Sequence, residues 1–145
     1  MKAFAVIAAA MVFGFAPAQA ENDKPITVKQ LPMAAQKFIN STFKGKKVSV
    51  ALMDKGVFET DYTVIFNNGQ KVEFDKSGAW KEVDCKRSAV PSGIVPGQIK
   101  SYVSRNYPNV RIQKIDRDRK GYEVKLSNGL EVTFDKRFRV VDIDD

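Results

Sequence analysis

Two fifteen-residue stretches constrain this chain more than any other feature. Tyr62 to Lys76 reads YTVIFNNGQKVEFDK, and Tyr122 to Lys136 reads YEVKLSNGLEVTFDK. They match without a gap at Tyr, Val, Asn, Gly, Val, Phe, Asp and Lys, which is the mark of an internal duplication with a period near sixty. In each, apolar and polar residues alternate on both sides of an Asn-Gly pair, the pattern of a β-hairpin.

Side-chain parity selects the turn. A two-residue loop at Asn68-Gly69 would oppose Phe66 to Lys71 and Val64 to Glu73, mixing apolar and charged partners. A three-residue loop opposes Val64 to Val72 and Tyr62 to Phe74, and in the second stretch Val124 to Val132 and Tyr122 to Phe134. Opposed residues share a face, so only this register gives each hairpin one apolar side. Gly69 and Gly129 then occupy the last loop position, where a type I turn with a G1 bulge needs a left-handed residue.

The start of the chain reads as an address. Lys2, an apolar run from Ala3 to Phe15 and the small-x-small site Ala18-Gln19-Ala20 form a secretory signal peptide over 1–20, with cleavage before Glu21. No later stretch is apolar enough to span a bilayer. A single cysteine, Cys85, excludes an intramolecular disulfide, and the spacing reads it as a half-buried small residue. The absence of histidine removes Ser-His and Cys-His nucleophilic pairs and the commonest ligand of catalytic zinc. The net charge of +7 is concentrated after residue 85, around Arg105, Arg111, Lys114, Arg117, Arg119 and Lys120. In an exported protein such a field suits an acidic protein or an anionic envelope polymer rather than nucleic acid.

The order of elements follows the duplication. Leu31, Ala35, Phe38, Ile39 and Phe43 make a helical stripe after Pro32, and Gly45 closes it. Val95, Ile99, Tyr102, Val103 and Tyr107 repeat that stripe after Pro96, sixty-four positions on. Each helix precedes four strand-like runs, and Glu21 to Lys24 reads as a frayed polar start. The expected fold is therefore α+β: two tandem repeats over 21–85 and 86–145, each one helix followed by a four-stranded antiparallel sheet, with the helices on one face. One continuous domain over 26–145 is the alternative.

The Leu31-Pro32 and Val95-Pro96 helix starts, the aromatic-rich helix ends and the Asn-Gly hairpins running into Phe74-Asp75-Lys76 and Phe134-Asp135-Lys136 carry a resemblance. The unit resembles the PepSY-like family of exported bacterial proteins called putative beta-lactamase-inhibitor-like. The resemblance implies a helix-backed antiparallel sheet in two copies and, for some relatives, binding or inhibition of an enzyme. It supplies no defined functional residues.

Constellations with chemistry are weak. Asp116-Arg-Asp118-Arg-Lys120-Gly121 opens like a calcium loop, but Lys120 takes a ligand place and Ser127 stands where a bidentate Glu is required, so a charged turn is expected. Asp142, Asp144 and Asp145 form an acidic end, and Asp61 and Asp75 face each other in the hairpin register. No catalytic residue, metal ligand or cofactor is expected. The leading function is a non-catalytic periplasmic module that docks or inhibits another protein, an enzyme or protease, through Ile65, Lys71, Glu73, Lys125 and Glu131 on the polar sheet face. The alternative is a cation- or ligand-responsive envelope protein that holds calcium or an anionic glycan at turns such as Arg117, Arg119 and Lys120.

Overall fold

The computed structural model describes residues 23–145, so the signal peptide expected over 1–20 lies outside the described residues. Nine antiparallel strands follow one another in a single meander: β1 (Asp23–Ile26), β2 (Val48–Lys55), β3 (Thr60–Phe66), β4 (Lys71–Phe74), β5 (Trp80–Asp84), β6 (Ile112–Asp118), β7 (Gly121–Leu126), β8 (Glu131–Asp135) and β9 (Val140–Asp144). Helix α1 (Met33–Thr42) lies between β1 and β2, and helix α2 (Gly97–Asn106) between β5 and β6. This corrects the expectation of two units that each carry a four-stranded sheet. β5 pairs directly with β6 through Glu82–Asp116, Val83–Ile115 and Asp84–Lys114, so the sheet runs on without a break. Asp23 and Lys24, expected to be frayed, instead belong to β1, whose Pro25 is tolerated because β1 is an edge.

The register explains why one sheet wins. Ile26, Ala51, Val64, Val72, Val83, Ile115, Val124, Val132 and Ile143 are successive cross-strand partners, one from each strand. Most of this row is fully buried, and cutting the sheet at β5 would expose Val83 and Ile115, both of which are 0% exposed. The apolar faces of the two halves are one stripe, and a common core buries more of it than two small ones could.

Both hairpins take the register that parity demands. Tyr62 opposes Phe74 and Val64 opposes Val72, while Tyr122 opposes Phe134 and Val124 opposes Val132. Gly69 and Gly129 have φ of +88° and +94°, and each donates its amide to the carbonyl of the residue before its loop, Phe66 or Leu126. The two helices cover the apolar face alone. Pro32 and Pro96 sit at their N-caps, where their carbonyls accept the first amides of each helix. Leu31, Ala35, Ile39 and Phe43 of the first, and Val95, Ile99 and Val103 of the second, are buried. Phe38 meets Phe74 edge-on at 5.7 Å, and Tyr102 meets Phe134 in the same way at 5.5 Å. Cys85 is buried, and burial pushes its thiol up to about 11, which leaves it a poor nucleophile. Among the described residues no helix is long and apolar enough to cross a membrane.

Candidate functional site

The face opposite the helices is built from the alternate residues of the same strands, and the register lays them out in two rows. One row reads Thr63, Glu73, Glu82, Asp116, Glu123, Thr133 and Asp142. The next reads Ile65, Lys71, Asp84, Lys114, Lys125, Glu131 and Asp144. Carboxylates directly opposed on a sheet repel, so the first row needs cations from the second. Lys71 Nζ supplies one, 3.2 Å from both Glu73 Oε2 and Glu82 Oε2. Lys114 Nζ supplies another, 3.7 Å from Glu82 Oε1 and 3.9 Å from Asp116 Oδ2.

These ions are partly desolvated. The side chains of Glu82 and Lys71 are 15% and 29% exposed, and Glu82 Oε2 has no well-angled hydrogen bond, only the nearby Lys71 ammonium. Burial, with the charge of Glu82 and a hydrogen bond to it, raises the Asp116 carboxyl from 3.8 to about 8. Burial also pushes Glu82 up, but Lys71, the Asp116 hydrogen bond and Lys114 outweigh it and hold Glu82 below its ordinary value. The pair therefore shares one proton near neutrality, with Asp116 donating to the Glu82 carboxylate. Burial and the Glu82 charge raise Glu73, against the pull of Lys71.

The structure brings the five expected docking residues onto this one face. Ile65 is opposite Lys71 and Lys125 opposite Glu131, and Glu73 is joined to Lys71 by the ion pair above. Val50 lies opposite Ile65 in β2, and Leu52 lies opposite Thr63, so a half-buried apolar patch adjoins the charged rows. The alternative set is divided. Arg117 points to the other face, its guanidinium 3.8 Å from the Trp80 ring centre and its Nε donating to the Trp80 carbonyl at 2.7 Å. Arg119 and Lys120 remain exposed in the β6–β7 turn.

The turn carboxylates are occupied locally. Asp118 Oδ1 accepts from the amides of Lys120 and Gly121 at 2.7 and 3.2 Å. Asp75 accepts from Ser77 and Ala79 in its own turn, which holds its carboxyl below the ordinary value despite burial, while Asp61 takes Lys81 Nζ at 3.1 Å. The expected clash between Asp61 and Asp75 is thus relieved by separate partners. Among the described residues no group of three or more Asp, Glu or Cys side chains is placed to hold a metal ion. Within the acidic row, Lys71 and Lys114 already place ammonium groups on Glu73, Glu82 and Asp116.

Parity alone did not point to three features. Glu82, Lys114 and Asp116 meet only because β5 pairs with β6. A cleft of about 600 Å³ opens at the β7–β9 end of the polar face, lined by Asp116, Asp118, Gly121, Glu123, Val141 and Asp142 among others. Val57 and Phe58 lie outside both strands, 90% and 97% exposed at the tip of the β2–β3 hairpin.

An open antiparallel sheet, covered by helices on one face and carrying a charged and apolar surface on the other, defines a helix-backed sheet scaffold. The chain belongs to the family described as "Putative beta-lactamase-inhibitor-like, PepSY-like", whose model matches residues 60–142. It is also similar to solved structures from Bacteroides. A protein of the DUF2874 family from Bacteroides vulgatus ATCC 8482, described as "putative periplasmic", is 55% identical, with 87% of this chain and 99% of that one covered and a TM-score of 0.84. A protein from Bacteroides thetaiotaomicron described as "putative calcium-regulated periplasmic" is 52% identical over 87% and 99% of the chains, with a TM-score of 0.85. A second Bacteroides vulgatus protein, described as "putative periplasmic" and of unknown function, is 39% identical over 85% and 99%, with a TM-score of 0.81. No curated protein matches the chain.

Proposed function

We propose that the protein is a non-catalytic periplasmic binding module that docks another protein, an enzyme or protease, through the polar face of its sheet. The observation that carries this reading is the asymmetry of the sheet. Both helices cover one face, and the other leaves Val50, Leu52 and Ile65 beside rows of half-exposed charge. An open apolar patch beside charge suits a protein interface better than an enclosed small-molecule pocket. The inhibitor-like family and the periplasmic descriptions of the similar structures support it. Export by residues 1–20 belongs to the same proposal, and sequencing of the exported protein should begin at Glu21; retention of Met1 would refute it.

Ile65→Asp and Lys125→Glu test the face. Neither side chain is part of the buried core, so each variant should melt within a few degrees of the wild type. With a partner isolated from periplasmic extract and then purified, Ile65→Asp should raise Kd about tenfold or more, as expected for a desolvated anchor. Lys125→Glu should mainly lower the association rate and change its salt dependence. Unchanged affinity for both variants would rule out this face.

A further inference from the structure

β5 and β9 are the corresponding strands of the two halves, and only β5 is covered on its outer side. Each pairs with the strand before it in the same register. Trp80 and Val140 oppose Phe74 and Phe134, and Val83 and Ile143 oppose Val72 and Val132, with the same irregularity between. The outer side of β5 is taken by β6, which sets Ile115 opposite Val83. Two residues further on, the Cys85 amide donates to the Gln113 carbonyl. Ladder bonds alternate along a strand, so Val83 also turns its own amide and carbonyl toward β6. Its counterpart Ile143 turns the same two groups away from β8, where the strand order ends and the described residues supply no neighbour. The side chains show the same difference: Val83 is 0% exposed and Ile143 45%.

An edge strand with outward backbone groups and no proline is a template for another strand. The opposite edge is blunted, because Pro25 in β1 has no amide to offer. We propose that β9 takes an extended segment of another protein as an additional antiparallel strand, in the place that β6 holds beside β5. The backbone ladder supplies affinity, and the side chains that face β9 select the segment. An apolar β-branched residue stands opposite Ile143, as Ile115 stands opposite Val83. Lysine or arginine stands opposite Asp144, as Lys114 stands opposite Asp84, and opposite Asp142. Carboxylates of this sheet serve more than one cation, since Lys71 and Lys114 both lie within 3.7 Å of Glu82, so interactions inside the chain do not close these positions. A second copy of the chain fits less well: with Ile143 against its own counterpart, Asp142 would oppose Asp144 on both sides. The inference goes beyond the docking reading, because it uses the edge of the sheet and not its polar face.

The probe is the peptide RIQKIKR, which is residues 111–117 with Asp116→Lys, acetylated and amidated at its ends. Titrated into ¹⁵N-labelled protein, it should shift the amides of Val140, Asp142 and Ile143 and saturate with a Kd below about 1 mM. N-methylation of the peptide at the Ile115 position removes a ladder donor and leaves charge and side chains unchanged. It should weaken binding at least about tenfold. Ile143→Pro removes the outward amide from the protein at an edge position that tolerates proline, and should weaken binding to the same degree. Should that variant fail to fold, the methylated peptide still decides. Equal affinity of the methylated peptide would reduce the contact to charge attraction and overturn the proposal. Absence of binding, or unchanged binding in a folded Ile143→Pro, would overturn it too. Binding kept in Ile65→Asp is expected, and its loss there would place the peptide on the polar face instead. A chain that sediments as a dimer, with the dimer abolished by Ile143→Pro, would overturn the proposal in favour of a second copy.

Discussion

Gly121→Ala is expected to abolish the fold or lower its melting temperature by more than about 10 °C, corresponding to a loss of about 3 kcal/mol or more. A Cβ at this position would lie 2.0 Å from the carbonyl oxygen of Phe134 and within 3 Å of the Asp135 backbone. Those neighbours are main chain in β8, which pairs with β7 on one side and β9 on the other, so no flexible side chain can swing aside. The residue also sits at φ +147°, which disfavours any side chain. Gly69→Ala and Gly129→Ala are the controls. Both positions have positive φ but open space around the missing Cβ, so only the backbone term applies, at about 1 kcal/mol. Equal thermal shifts for all three variants would show that the close approach of β7 to β8 is wrong. The aligned position in the first half is Asp61, so no general rule for hairpins requires glycine here. The local crossing of β8 does.

The same comparison shows what was legible in the sequence. Hairpin register is a local property, fixed by which residues must share a face, so Tyr62–Phe74 and Tyr122–Phe134 could be read directly. Helix position was equally local, since Pro32 and Pro96 and the apolar spacing after them need no distant partner. The joining of the halves was not local. Val83 and Ile115 are separated by a loop and a helix, and nothing in either strand announces its neighbour. The expectation of two sheets failed for that reason, and the same gap concealed the meeting of Glu82 with Lys114 and Asp116. β1 was missed because four residues, two of them charged and one a proline, carry too little periodicity to read as a strand. Asp116 was assigned to a turn by motif, although its pairing with Glu82 and Glu123 gives it its chemistry.

Lys71→Met should cost little at pH 5 and about 2 kcal/mol at pH 8, a loss that grows through the intervening range. In the wild type, Glu73 and Glu82 hold the Lys71 ammonium well above its ordinary value of 10.5, although burial opposes the charge. A raised lysine contributes fully below its unfolded pKa, so Lys71 itself does not titrate between pH 5 and 8. The pH dependence comes from the carboxyls around it. Asp116 is raised to about 8, so the native state keeps a proton that the unfolded chain releases near 3.8, and stability falls as pH rises between those values. Glu82 is lowered and acts oppositely, contributing stability above its unfolded pKa that is lost on acidification. Removing Lys71 deletes the strongest cationic influence holding Glu82 down and the main cation opposing the rise of Glu73. Both carboxyls then join Asp116 as groups that the fold prefers protonated, and the penalty grows as each must ionise. Melting curves of Lys71→Met and wild type between pH 5 and 8 would show two lines diverging with pH. Parallel lines would mean that the Lys71 ion pairs contribute nothing measurable, and that the acidic row is screened by solvent rather than by its own lysines.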